Sequence, residues 1–420
     1  MKTKFFPGIL TAILAMLLVL NAGFALSQSA INTITGLVRD AQTRRPIAFA
    51  TVFVHGAQVG TVTNIDGAFT LKVEVTSKAQ NFTISHLGYK TATFKIENYL
   101  EQTRHTFFIE PSSVSLSEVV VRPTDARQLV EQAINRIEIN YPSTHNRLKG
   151  FYRETIRQRR DYVSISEAIV EIDQTPYGSR SGTDRVRIIQ GRKSGDVRRM
   201  DTLIVKLQGG PHVSMLLDIV KNPNILLSKE WTEAYEYVLA DVVMIENNVN
   251  YVVEFKPRMM YPFPLYYGRL YISVDNLGLT MAEFSLDISD ADKAAQNFII
   301  RKPARLRFTP TKTRYLVTYK EIDGKYHLNY VRNELEFFAD WRRRIFRTNY
   351  VIMSELAITE LRPDIDDRVT LRESFRQTNI LADMVPVYFD EEFWGAHNVI
   401  EPDESIETAI RKFNTRIERQ

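Results

Sequence analysis

The stretches I-T-G-L-V-R-D (34–40), P-I-A-F-A-T-V-F-V (46–54), G-T-V-T-N-I-D-G-A-F-T-L (60–71) and I-S-H-L-G-Y-K-T (84–91) succeed one another with little between them. Each is a short run of alternating apolar and polar residues, and Gly, Asn and Asp separate the runs. Val52, Phe53 and Val54 read as one strand. Thr61, Val62 and Thr63 lead into a turn at Asn64, Ile65, Asp66 and Gly67, after which Phe69 and Leu71 resume the period of two. Gly67 supplies backbone freedom for the turn and Asp66 offers a carboxylate to nearby amides. Gly88 marks a second hairpin or bulge. Short strands at this spacing predict a β-sandwich near the front of the chain.

What precedes it reads as an export signal. Lys2 and Lys4 give a positive start, residues 5–25 are apolar apart from Pro7, Gly8, Thr11, Asn21 and Gly23, and Ala25-Leu26-Ser27 fits a cleavage site. A signal anchor is the other reading of that run. Residues 1–27 are therefore expected to be a signal peptide, leaving about 393 residues, enough for two or three domains. The chain has no cysteine, so it has no disulfide and no lipid-modified cysteine. The expectation is an exported protein of a bacterial envelope, in the periplasm or at the periplasmic face of the outer membrane. Net charge is +4, or +2 without Lys2 and Lys4, which gives no reason to expect a nucleic-acid partner.

The motifs G-x-V-x-D (36–40), Pro46-Ile47, Gly60-Thr61, D-G-x-F (66–69) and L-G-Y (87–89) resemble the carboxypeptidase regulatory-like domain, a transthyretin-like module of Gram-negative envelope proteins. The resemblance implies a seven-stranded sandwich over 28–110 that serves folding, docking or assembly and holds no metal. Zinc carboxypeptidases carry H-x-x-E and a distant His. None of His55, His86, His105, His145, His212, His327 and His397 has Glu three residues later, and H-E-x-x-H is absent. No cofactor and no metal site is expected.

Residues 111–124 read as a linker, and L-S-E-V-V-V (116–121) resembles the segment that follows this domain in TonB-dependent transporters. Outer-membrane transport machinery is accordingly one candidate partner. The second region, 125–420, opens on a helix at about 125–140 whose Leu129, Val130, Ala133, Ile134 and Ile137 share a face. G-F-Y-R-E (150–154) and F-W-G-x-x-N-x-I-E-P (393–402) resemble segments of uncharacterised envelope proteins with the same front domain. Arg153 and Glu154 are expected to form an ion pair at a strand end, and Glu167 and Glu171 to lie on an exposed strand face.

Hairpins are predicted around 246–250, 275–278 and Asp323-Gly324, with a helical interruption near 213–227. The fold class expected is thus mostly β: a sandwich, then a larger antiparallel sheet, curved or a half-barrel, with a few helices including one at about 404–418. That second sheet weakly resembles the open half-barrel of periplasmic lipoprotein carriers, whose concave face can hold a lipid. Tyr261, Phe263, Tyr266 and Tyr267 lie in a Pro-rich aromatic stretch that does not suit a central strand, and read as a packed loop, a lid or an interfacial contact. Arg305 and Arg307 fall in a fourteen-residue run without acids, and Arg342, Arg343 and Arg344 form a triplet. Both clusters suit lipid phosphates or an acidic partner as well as solvated loops.

With no nucleophile elbow, phosphate loop or metal spacing, the expected function is non-catalytic: the sandwich docks or assembles and the larger domain binds a lipid or an unknown envelope protein. A hydrolase built on Glu154, Glu167 and Glu171 and an integral outer-membrane barrel are the competing readings. The charged, helix-periodic C-terminus fits the barrel poorly.

Overall fold

The structure, a computed structural model, describes residues 30–100, 103–112, 125–178, 183–195, 206–207, 210–301, 306–341, 347–363, 367–386 and 391–417. The expected signal segment, most of the linker, Arg305 and the triplet Arg342, Arg343 and Arg344 lie outside the described residues.

The front unit has seven strands: β1 Ile31–Asp40, β2 Thr51–Val54, β3 Val59–Val62, β4 Ala68–Glu74, β5 Asn81–Ser85, β6 Ala92–Lys95 and β7 His105–Ile109. They form two layers, β4-β1-β7 and β3-β2-β5-β6, in which β1 and β7 run parallel and the other pairs antiparallel. Alternate residues Ile34, Val38, Phe69, Leu71, Phe82, Ile84 and Phe107 fill the space between them. Gly67 has φ +78°, as the turn requires, and a Cβ there would meet the Val38 carbonyl at 2.6 Å. Asn64, not Asp66, organises the turn, since its Oδ1 accepts from the amides of Asp66 (3.0 Å) and Ala68 (2.9 Å). Gly36 is no turn residue either: it lies inside β1, where a Cβ would strike the Phe107 and Phe69 rings at 2.4 and 2.6 Å.

The motif Asp and the motif Tyr are partners. Asp40 accepts from the amides of Gln42 and Thr43, both at 2.7 Å, and from the Tyr89 hydroxyl at 2.7 Å. The Thr43 amide bond, then the Tyr89 bond, holds the Asp40 carboxyl below its usual range, while burial and the same contact push Tyr89 up to about 12.

The larger unit begins with α1 Ala126–Asn135, capped by Asp125 accepting from the Arg127 amide at 2.8 Å, and a further turn, α2 Ile137–Asn140. Ten residues are too few to hold a helix in water, so packing of Leu129 and Val130 against the sheet secures it. The strands follow: β8 Asn146–Gln158, β9 Asp161–Gln174, β10 Arg185–Gly195, β11 Lys206–Leu207, β12 Tyr235–Ile245, β13 Asn248–Pro257, β14 Tyr266–Ser273, β15 Leu279–Leu286, β16 Ile299–Arg301, β17 Leu306–Ile322, β18 Lys325–Trp341 and β19 Thr348–Pro363. Short helices interrupt them, α3 Pro211–Leu216, α4 Lys229–Thr232 and α5 Ala291–Ala295, and α6 Leu381–Met384 and α7 Glu404–Ile417 follow the last strand.

Ten of these strands make one curved antiparallel half-barrel in the order β12-β13-β14-β15-β17-β18-β19-β8-β9-β10. Successive hairpins build its first half. The turns Asp323-Gly324 and Glu246-Asn247 both hold two positive-φ residues, the geometry that matches strand twist. The first falls where the sequence places it; the second is tighter than expected, because β13 already starts at Asn248. One correction concerns the aromatic stretch. Pro262 and Pro264 lie in the loop between β13 and β14, but Tyr266 and Tyr267 begin β14, an internal strand paired on both sides.

The concave face is apolar and covered by the chain itself. Leu148, Tyr152, Val170, Ile172, Val253, Leu270, Phe284 and Val317 from the strands pack with Leu129, Val130, Met215, Leu217, Ile219, Leu226 and Leu227 from the helical segments. The sandwich sits on the convex face. Val62 shares a buried cluster with Phe151, Ile169, Tyr330, Ala357, Trp394 and Ile400, and the Phe49 ring stacks on Tyr330 at 5.7 Å.

Candidate functional site

On the convex face, one register line crosses the whole half-barrel. Paired positions read Arg192 (β10), Glu167 (β9), Arg153 (β8), Glu355 (β19), Arg332 (β18), Leu316 (β17), Glu283 (β15), Arg269 (β14), Glu254 (β13) and Val238 (β12). From Arg192 to Glu254 the signs alternate, broken once by Leu316, and the uncharged Val238 ends the line. Directly opposed residues of unlike charge attract, so the ladder favours this register over any slip. Its first five members lie under the sandwich and the C-terminal segment.

Arg153 is the keystone there. Its Nε donates to Glu167 at 2.7 Å, its Nη2 to the Ile400 carbonyl at 2.7 Å, its Nη1 to the Glu401 carbonyl at 3.3 Å, and Glu355 stands 3.9 Å away. Glu167 also accepts from Arg192 at 2.8 Å, and Glu355 from Arg332 and Tyr330, each at 2.7 Å. Burial pushes the Glu167 carboxyl up, yet Arg153 and Arg192 outweigh it and hold the group below its usual range. Three cations, Arg153, Arg192 and Arg332, meet three carboxylates, Glu167, Glu355 and Glu334, the last 3.6 Å from Arg332, and the carbonyls of Ile400 and Glu401 take the remaining donors of Arg153. That satisfaction makes a buried ion network tolerable.

Arg153 and Glu154 therefore do not pair with each other. Adjacent strand residues face opposite ways: Arg153 faces the sandwich, and Glu154 faces the concave side, accepting from Tyr152 Oη at 3.0 Å and the Gly210 amide at 3.1 Å. Burial raises the Glu154 carboxyl above its usual range. Glu167 and Glu171 are not on a solvated face either. Glu171 accepts from Arg187 at 2.7 Å and Arg147 at 3.3 Å. The three carboxylates named as a candidate hydrolase site are thus divided between two faces of the sheet.

The segment F-W-G-x-x-N-x-I-E-P stitches the sandwich to this network. Asn398 accepts from the Lys72 amide at 2.7 Å and donates to the Lys72 carbonyl at 2.9 Å, along the edge strand β4. Thr61 Oγ1 donates to the Val399 carbonyl at 3.0 Å, Asn64 Nδ2 to that of Pro402 at 3.1 Å, and Asp66 Oδ2 accepts from the Glu404 amide that starts α7 at 2.9 Å. The family-like turn of the sandwich is a receptor for the chain's own C-terminal segment.

Inside the half-barrel lies a second polar knot. Asp218 is fully buried and accepts from the hydroxyls of Tyr177 and Tyr319, both at 2.8 Å, and from the Lys221 amide at 3.1 Å. Burial, only partly offset by these bonds, raises its carboxyl to about 6. Lys221 Nζ donates to Thr175 and Pro176 at 2.6 Å and stands 3.6 Å from Asp184. The knot ties the 211–227 segment to the loop that follows β9 and to β17. Sequence reading missed it, although a single acid in M-L-L-D-I-V (215–220) was the available signal.

The other residues singled out from sequence lie apart from both networks. Tyr266 packs its ring on Phe284 at 5.5 Å and on Tyr315 at 6.1 Å, which makes it core. Tyr267 points outward, and Tyr261 and Phe263 sit in the loop before it, where Phe263 meets Trp231 of α4 edge-on at 5.6 Å. Arg307 is exposed and opposite Asp340, while Lys312 reaches Glu336 at 3.3 Å and Arg314 stands opposite Glu334. The acid-free run is therefore faced by acids of β18. Among the described residues, no three His, Asp or Glu side chains are placed to hold a metal ion.

Two solved structures align with about half of the chain. A DUF1329 family protein from Desulfovibrio piger is 12% identical over 58% of this chain and 96% of its own, with a TM-score of 0.24. A structure described as lipid-protein interactions in lipovitellin is 10% identical over 56% of this chain and 27% of its own, also with a TM-score of 0.24. No curated protein matches the chain. Residues 34–121 match the model of the CarboxypepD_reg-like domain, so the seven-stranded sandwich at the front of this chain is a carboxypeptidase regulatory-like domain.

Proposed function

We propose that the chain is a non-catalytic, exported envelope protein whose half-barrel takes an apolar chain, such as a lipid acyl group, on its concave face. One observation carries this reading: the sheet is two-faced, with the Arg153 network and the docked sandwich outside and, inside, a concavity that is apolar apart from Glu154 and the Asp218 knot. What covers that concavity is short helical segments, including α3 and α4, six and four residues long, that a ligand could displace more readily than it could separate a pair of hydrogen-bonded strands. In this reading the regulatory-like domain is an assembly element. It braces the convex face through Arg153, Asn398 and Phe49, so that the sheet keeps its curvature while the inner face exchanges its cover.

Lipid extracted from the purified mature protein and identified by mass spectrometry tests the reading, together with displacement of a fluorescent fatty acid. Stoichiometric lipid, or saturable probe binding, supports it. A protein with neither is no carrier.

A further inference from the structure

The loop joining β13 to β14 carries the most exposed large apolar side chain of the described residues, Met260, with two more exposed apolar side chains beside it. Met260 is 94% exposed, Met259 65% and Phe263 45%, with Tyr261 beside them and Tyr267 outward-facing at the start of β14. A single exposed Leu or Met is ordinary, but three within five residues of one loop are not. The tip is also anchored. Pro262 and Pro264 limit its backbone. Below it the Arg258 amide donates to the Ala234 carbonyl at 2.9 Å, and the Arg258 side chain to the Tyr235 carbonyl at 3.1 Å. Arg127, at the start of α1, reaches the same Tyr235 carbonyl at 3.4 Å.

We propose that this loop is a membrane-contact tip, which places Met259, Met260 and Phe263 among the acyl chains of a bilayer and Tyr261, Tyr267 and Trp231 at headgroup level. The order of side chains is that of an interfacial anchor: apolar at the apex, amphipathic aromatics behind, guanidinium groups at the base. Phe263 touches Trp231, and Trp231 belongs to α4, which packs against the concave core. The tip is therefore continuous with the cover of the inner face, and a membrane seated on it would stand at the mouth of the half-barrel. The use of the contact rests on the lipid-binding reading above; the contact itself does not.

Charge around the tip is balanced. Lys256 pairs with Glu236 at 3.4 Å, and Glu230 and Glu233 are exposed on either side of Trp231. Attachment should therefore be apolar in origin and little affected by salt, unlike a polybasic patch.

Flotation of the full mature chain with phosphatidylcholine vesicles tests the proposal. The wild type should float, at low and high salt alike. The double variant Met259→Ser, Met260→Ser should lose at least about tenfold in partitioning while keeping its thermal melt, because both side chains are largely in solvent. A wild type that does not float, or a variant that floats equally well, overturns the tip. So does a variant that only turns a wild-type oligomer into a monomer, which would assign the loop to self-association. Lipid extraction from the same preparations separates the two readings: flotation without extractable lipid keeps the tip and removes the carrier, and extractable lipid without flotation does the reverse.

Discussion

Arg153 shows how a residue read from sequence as half of a local pair becomes the centre of a long-range network. Removing its guanidinium by Arg153→Met leaves Glu167 with Arg192, Glu355 with Arg332, and the carbonyls of Ile400 and Glu401 without a donor. Breaking a buried network from one side typically costs about 3–5 kcal/mol, so a urea titration should show a loss of that order; an unchanged midpoint would mean the network contributes nothing. Asp218 makes a prediction of opposite sign. Its folded-state carboxyl sits at about 6 against 3.8 unfolded, so protonation favours the folded chain. The stabilisation is complete below the unfolded value and is lost as pH rises through about 6. Relative to Asp218→Asn, which cannot titrate, wild-type stability should fall by up to about 3 kcal/mol between acidic and neutral pH. Parallel stability curves for the two proteins would refute this assignment.

At the scale of elements, the C-terminal segment behaves as a strap along β4. Asn398→Ala deletes both bonds to Lys72 and leaves the half-buried backbone groups of that residue without this partner, a local cost of about 1 kcal/mol. Amide exchange at Lys72 and proteolysis within 391–417 should both accelerate, with strands β12 to β15 unaffected; equal protection in variant and wild type would show that the strap is held elsewhere. The β17–β18 hairpin gives a second prediction. Gly324 has φ +76° with open space around it, so Gly324→Val strains the backbone without a clash. A loss of about 1–2 kcal/mol is expected in thermal melts, and an unaltered melt would show that the turn relaxes into another type. The element pattern itself was largely legible, because alternation and turn residues are local: Asp323-Gly324, the amphipathic face around Leu129 and the helical spacing from Ile406 to Phe413 all lie where sequence places them. Tyr266 and Tyr267 were not, because prolines signal where pairing stops but not how soon it resumes.

On the scale of the molecule, sandwich and half-barrel share the cluster of Val62, Phe151, Tyr330 and Trp394, and the C-terminal segment binds both. A chain so joined should unfold as one unit. Tyrosine absorbance and far-UV dichroism should report a single coincident denaturant transition, and two separated transitions would mean that the sandwich folds independently of its platform. The two β units, the turn positions and the family of the front domain are written in local sequence, since they rest on periodicity and on residues a few positions apart. Which face each charge occupies is not, and came from the tertiary fold alone. The ladder from Arg192 to Glu254 draws on nine strands scattered over the chain, and its members become neighbours only when register is set. Burial, which turned Glu167 into an ion-pair partner and Asp218 into a latch, depends on what later segments of the chain are laid on top.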